Sequence, residues 1–171
     1  MPEITRSLLM YRYRRLGEAR AAAAAAGYKG AMFPWQSGSD GQEETHALNL
    51  NPRSQRWVPD NSYLQRHVGS AVAFNAWQYF QVTHDVEFLH SYGAEMILDI
   101  ACFWSSIASF DDERRRYEIR GVMGPDEFHD GYPDSARPGL NNDAYTNIMA
   151  VWVLCRALEV LDLLSDVRRA E

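Results

Sequence analysis

Helix-period segments alternate along this chain with two long stretches that have no period, and that alternation restricts the fold more than any single residue does. Over residues 86–109, Leu89, Tyr92, Met96, Ile100, Phe103 and Ile107 recur at spacings of three and four, the stripe of an amphipathic helix. Residues 63–82 carry Leu64, Val68, Ala71, Val72, Trp77 and Tyr79 around a wide arc, which predicts a helix buried on more than one side. Residues 144–167 carry Ile148, Trp152, Cys155, Leu158 and Leu161. Two further helices are predicted over 4–15, with Leu8, Tyr11 and Arg15 on one side, and over 18–26, where an alanine run meets Gly27 as a C′ stop. Ser62-Tyr63-Leu64-Gln65 has the form of a capping box, Asp85 can cap the next helix, and Asn142 or Asp143 opens the last.

Residues 28–61 and 110–141 lack this period. Structureless loops beyond about 12–15 residues are uncommon in a compact domain unless they are functional or disordered. Both segments are rich in Trp, Phe and Tyr, which argues against disorder. Short strands are predicted at 31–33 and 117–119. The fold class expected is all-α, with long loops and minor short strands, and with the chemistry on the loops.

The formal net charge of −6 argues against nucleic acid, whose recognition needs a basic patch. The densest basic run, Arg114-Arg115-Arg116, follows Asp111, Asp112 and Glu113 and reads as a solvated turn. The two cysteines, Cys102 and Cys155, lie on apolar helical patterns and are expected to be buried thiols. No secretory signal is visible and no apolar stretch reads as long enough to span a bilayer, so a cytoplasmic location without membrane contact is the expectation.

The loops carry the side chains that bind and cleave sugars. Aromatics make up 12% of the chain, and aromatic faces stack on pyranose rings while amides and carboxylates bond hydroxyls. In Gly124-Pro125-Asp126-Glu127-Phe128-His129, Pro125 and Gly124 hold a carboxylate on a stiff, sharp turn. Asp126 beside Glu127 would help keep one of the pair protonated, as a general acid requires. An acidic surface turn or a helix cap is the plain alternative. Phe33-Pro34-Trp35-Gln36-Ser37-Gly38-Ser39-Asp40-Gly41-Gln42-Glu43-Glu44 places Trp35, Gln36, Asp40, Glu43 and Glu44 on one loop, and the competing reading is a polar turn at Asp40-Gly41. His129 lies two residues beyond Glu127 and could line the same site, as could Asn142 and Asn147 at the start of the last helix. Arg66 and His67 read equally well as polar groups satisfied inside the helical layer. The five histidines show no metal-ligand spacing, and no Gly-x-Ser-x-Gly nucleophile context occurs.

In combination the motifs say more. Tyr11-Arg12-Tyr13-Arg14-Arg15-Leu16, Gly30-Ala31-Met32-Phe33-Pro34-Trp35, Asp40-Gly41-Gln42-Glu43-Glu44, Gly121-Val122-Met123-Gly124-Pro125-Asp126-Glu127-Phe128 and Asn142-Asp143-Ala144-Tyr145-Thr146-Asn147 follow in this order. The set resembles glycoside hydrolase family 65, which contains maltose, trehalose and kojibiose phosphorylases and some related hydrolases. The resemblance covers nearly the whole chain. It implies part of an (α/α)6 toroid, with Glu127 at the general-acid position and Trp35 and Gln42-Glu43-Glu44 on the loop that lines the sugar site. Asp126 stands where several members have Asn. The family's Phe-Trp-Asp-Thr-Glu block, its Lys-Gln block and its phosphate loop have no counterpart here, so residues 1–171 are expected to be a middle fragment of the catalytic domain.

The reaction that the resemblance implies is inverting phosphorolysis of an α-linked glucoside by inorganic phosphate, giving β-glucose 1-phosphate, with no metal or organic cofactor. The alternatives are inverting hydrolysis of an α-glucoside, or an inactive fragment that binds carbohydrate or is purely structural. For the full-length protein a homodimer is an expectation.

Overall fold

The computed structural model describes residues 2–126 and 129–164. Two N-terminal helices, α1 (Pro2–Arg14) and α2 (Leu16–Ala25), are followed by a long loop and the hairpin β1 (Leu48–Asn51) and β2 (Arg56–Pro59). A 3-10 turn (Ser62–Leu64) leads to α3 (Val68–Thr83). One helical turn, α4 (Val86–Phe88), runs through a π-helical turn (Leu89–Gly93) into α5 (Ala94–Ile107). The second long loop folds into the pair β3 (Ser109–Asp111) and β4 (Arg116–Glu118), then β5 (Arg120–Val122) and β6 (Leu140–Asn141). Helix α6 (Ala144–Leu163) closes the described chain. The three sheets are two-stranded and antiparallel, so the framework is helical.

Helix α5 is the centre. It packs against α2, α3 and α6, and α1 lies on α3. Met96, Ile97, Ile100, Phe103 and Trp104 are exposed by 1% or less, as are Phe88 and Leu89 just before them. Each such side chain contributes about 1.5–3 kcal/mol by leaving water. At the end of α2 the Tyr28 N–H donates to the Ala23 carbonyl and the Gly27 N–H to that of Ala24, with Gly27 at φ 82°, which is the predicted glycine stop. The chain then crosses α5 so closely that a Cβ on Gly30 would sit 2.1 Å from the Asp99 carbonyl oxygen.

Several expectations need correction. The predicted helix over 63–82 is two elements, because the Leu64 carbonyl accepts from the Met123 N–H (3.0 Å) and the Arg66 N–H (2.8 Å) instead of continuing a helix. Ser62 makes no capping bond, and α3 begins after His67. No strand forms at 31–33, while the hairpin β1–β2 was not expected. Asp85 does cap α4, accepting from the Phe88 N–H at 2.9 Å, and Asp143 caps α6, accepting from the Thr146 N–H at 2.9 Å.

Helix α6 buries the face opposite to the predicted stripe. Thr146, Ala150, Val153, Ala157 and Val160 face inward, whereas of the predicted stripe Ile148 and Leu158 are 68% and 66% exposed, Cys155 is exposed, and Trp152 and Leu161 are half-buried. The helix is apolar nearly all round, so period alone could not choose a side. The smaller side chains face the neighbouring helices. Cys155 lies on the outer face and Cys102 is also exposed, so neither is the buried thiol expected. Leu8 of α1 is 66% exposed as well, and Leu9 is buried in its place. By length and hydropathy the 20 residues of α6 would suffice to cross a bilayer, contrary to the sequence reading; here the helix packs on α3 and α5.

Monomeric proteins rarely expose contiguous apolar patches above a few hundred Å². The isolated 171-residue chain is therefore expected to self-associate and to bind an apolar dye. Replacing Val151 and Leu158 by Glu should suppress both effects without loss of helical circular dichroism. Sedimentation showing a dye-silent monomer at all concentrations would show that this face is not available.

Candidate active site

The loop after Phe33 is built by its own polar side chains. The Glu43 carboxylate accepts from the Trp35 N–H (Oε2, 2.8 Å), the Gln36 N–H (Oε1, 3.0 Å), and the Thr45 N–H and hydroxyl (Oε1, 3.2 and 2.6 Å). Its two oxygens thus gather three backbone amides that no sheet serves, as buried or crowded peptide groups require. Asp40 Oδ1 accepts from the Gln42 N–H at 3.0 Å, and Gly41 takes φ 84°, giving the predicted polar turn. A Cβ on Gly38 would lie 2.2 Å from a Glu44 carboxylate oxygen. From α1, the Tyr11 hydroxyl donates to the Gly38 carbonyl and Arg12 Nη1 to the Ser37 hydroxyl. Burial lowers the pKa of the Arg12 guanidinium, which also lies 5.7 Å from the Phe33 ring centroid.

Trp35 and Gln36 wall a cleft of about 660 Å³ together with Asn49, Asn51, Asn61 and Asp60. Met123 and Asp130 line the same cleft. These two residues flank the turn that carries the expected acid. Glu127 itself, with Phe128, lies outside the described residues. Within the turn, the Gly124 N–H donates to the His129 carbonyl at 2.9 Å, and a Cβ on Gly124 would meet the His129 Cβ at 2.9 Å. His129 is exposed, with Nδ1 2.8 Å from Asp126 Oδ2.

The other expected site residues do not line this cleft. Asp40, Glu43 and Glu44 shape the loop behind Trp35. Asn142 adopts φ 57° and bridges backbone: its N–H donates to the Ile119 carbonyl (2.7 Å), and its Oδ1 accepts from the Ile119 N–H (3.2 Å). It borders a separate hollow of about 280 Å³ with Arg114, Arg116 and Arg120. Asn147 has a buried Oδ1 without a hydrogen-bond partner among the described residues. In that hollow Glu118, 2% exposed, accepts from Arg120 (2.6 Å), Arg116 (3.1 Å) and Arg114 (3.4 Å). The basic run is exposed on a turn, as expected, and from there Arg114 and Arg116 also reach a buried carboxylate.

Residues missed from the sequence come mainly from the hairpin. Leu48-Asn49-Leu50-Asn51 alternates with period two, the signal that would have placed Asn49 and Asn51 on one face. His67 was read as either of two things. It is 8% exposed, its ring is steeply inclined to those of Trp35 (centroids 6.3 Å) and Tyr145 (5.3 Å), and its Nδ1 is buried without a partner among the described residues. Burial pushes its pKa below the ordinary value, and the Asp143 charge opposes that shift.

Two consequences are measurable. Glu43→Gln removes the charge and one acceptor oxygen, so amide exchange at Trp35 and Gln36 should quicken while the helical spectrum stays unchanged. Unaltered protection would show that Glu43 does not hold the loop. Hydrogen bonds from Arg120, then Arg116, hold the Glu118 pKa below its ordinary value, so its stabilisation is present above the unfolded value, about 4.3, and is lost as pH falls through the folded one. Glu118→Gln should therefore flatten the fall in melting temperature below about pH 4. A parallel fall in both proteins would exclude this role.

Comparison with known proteins matches the chain to a family. Residues 1–170 match the glycosyl hydrolase family 65 central catalytic domain. An uncharacterized glycosyl hydrolase of Mycobacterium tuberculosis is 61% identical over 164 residues, which cover 96% of this chain and 12% of that protein. The trehalose 6-phosphate phosphorylase of Lactococcus lactis is 46% identical over 153 residues, 90% of this chain and 20% of that protein. The kojibiose hydrolase of Flavobacterium johnsoniae is 39% identical over 150 residues, 88% of this chain and 19% of that protein. A solved structure from the human microbiome, described provisionally as a kojibiose phosphorylase, superposes with TM-score 0.72 at 26% identity, covering 99% of this chain and 24% of that one. The chain spans 12% to 20% of the length of these curated phosphorylase and glycosyl hydrolase relatives. The motifs, the helical framework and the match over residues 1–170 together establish that the chain belongs to glycosyl hydrolase family 65.

Proposed function

We propose that this chain forms the acid-bearing part of a catalytic domain that cleaves α-linked glucosides with inorganic phosphate, within a six-pair helical toroid. One observation carries the reading: a family 65 catalytic-domain match over residues 1–170 coincides with a cleft walled by Trp35 and edged by Met123 and Asp130, on either side of the acid turn. Relatives named as phosphorylases support the substrate kind.

In this mechanism the indole of Trp35 stacks on a sugar ring, while Gln36 and the hairpin amides Asn49 and Asn51 bond its hydroxyls. The Glu127 carboxyl protonates the glycosidic oxygen as the bond to the anomeric carbon breaks. Phosphate attacks that carbon from the opposite face, and the product is β-glucose 1-phosphate. Phosphate is already an anionic nucleophile, so the step needs no second carboxylate base. Water would need one. A cytoplasmic location and a homodimer of the whole protein belong to the same proposal, and two free cysteines fit a reducing compartment.

The second reading, inverting hydrolysis, draws on the kojibiose hydrolase relative. The two separate in one experiment on a whole protein that contains this chain. Turnover of an α-glucosyl disaccharide should require phosphate and release β-glucose 1-phosphate, as read by anomeric proton resonances. Equal turnover without phosphate would replace phosphorolysis by hydrolysis. In the same protein Glu127→Gln should lower turnover about 10²–10⁴-fold. The loss should shrink for glucosyl fluoride, whose leaving group needs no proton. Near-normal turnover of the disaccharide would remove Glu127 from the acid role.

A further inference from the structure

His67 is a buried polar ring that nothing above uses, and it lies between the two parts of the site. Its ring pairs with that of Trp35, the cleft wall, with centroids 6.3 Å apart and planes at 64°. It pairs also with Tyr145 at 5.3 Å and 87°. Both distances fall in the range where edge-to-face aromatic pairs attract, about 4.5–7 Å. Tyr145 opens α6, and the cap of that helix, Asp143, turns one carboxylate oxygen to the Thr146 N–H and the other towards Gly124. A Cβ on Gly124 would stand 3.5 Å from Asp143 Oδ1. An unbroken line of contacts therefore runs from Trp35 through His67 and Tyr145 to the start of α6, which abuts the acid turn. Trp35 has no comparable support elsewhere among the described residues: its ring pairs with no other aromatic ring, and it is 36% exposed.

We infer that His67 is a positioning residue, whose ring sets the place of Trp35 relative to the N-terminus of α6 and so to the acid turn. It acts through Trp35 and does not touch the sugar, since it is absent from the cleft lining. The sugar-binding part of this inference rests on the proposed function. The contact itself does not.

The test uses two readouts. In the 171-residue chain labelled with 5-fluorotryptophan, the Trp35 signal is identified by its loss in Trp35→Phe. His67→Ala should shift or broaden that signal, and His67→Phe, which keeps a flat ring, should restore it. Tyr145→Ala, at a half-exposed position, should move the same signal from the far side even if His67→Ala folds poorly. In a whole protein containing the chain, His67→Ala should raise KM for the α-glucoside about two- to tenfold, the range one aromatic edge contact supplies, with kcat little changed. His67→Phe should return KM towards the native value. A Trp35 signal indifferent to His67→Ala and Tyr145→Ala overturns the inference. So does a His67→Phe protein as impaired as His67→Ala. If the native whole protein turns over no α-glucoside, the proposed function fails, while the fluorine spectrum still decides the coupling.

Discussion

Once a backbone leaves a helical layer, each peptide group must find a partner outside the helix, and here side chains supply many of them. The Glu43 carboxylate takes the amides of Trp35, Gln36 and Thr45. The Asn142 amide brackets Ile119, and Asp143 takes the first turn of α6. Leu64 gives its carbonyl to Met123 and thereby stitches the second loop to the start of α3. With only two-stranded sheets among the described residues, these bonds fix the loops, and the cleft exists because the loops are fixed.

Beneath them lies a core centred on one helix. Helix α5 is apolar around most of its circumference because helices pack against it from several sides, and this buried layer anchors the loops that cross it. Gly30 lets the first loop pass over Asp99 in backbone contact, which sets where Phe33 enters the core and Trp35 emerges from it. A buried carboxylate does related work in the second loop. Glu118 gathers three arginines and joins β4 to the strand that leads to Gly124. The site is thus supported from below by apolar packing and from the sides by charge-assisted bonds.

Much of this was legible in the residues. The stripe from Leu89 to Phe103 identified the buried face of α5, because its apolar residues are set apart from Glu95 and Ser105 on the outer side. The caps Asp85 and Asp143 and the stop at Gly27 were readable because capping is local, decided within four or five residues. The order of motifs named the family, and the match over residues 1–170 bears that out. The aperiodic loops with their Trp, Pro and Gly pointed to a pocket, and Trp35 and Gln36 do wall a cleft.

Tertiary structure decided the rest. Period could not choose between the two apolar faces of α6, since a helix apolar all round has no sequence-level inside; the neighbours selected Ala150, Val153 and Ala157 because small side chains allow close approach. A capping box at Ser62 was overruled when Met123, 59 positions away by number, took the Leu64 carbonyl that a helix would have used. His67 was ambiguous for the same reason: whether a histidine is satisfied in a core or held between two aromatic rings depends on side chains contributed by distant segments. Sequence fixes what each segment can do locally, through period, capping and turn chemistry. Which of two permitted faces is buried, and which polar group meets which, is settled only when remote segments compete for the same surface and the same hydrogen bonds.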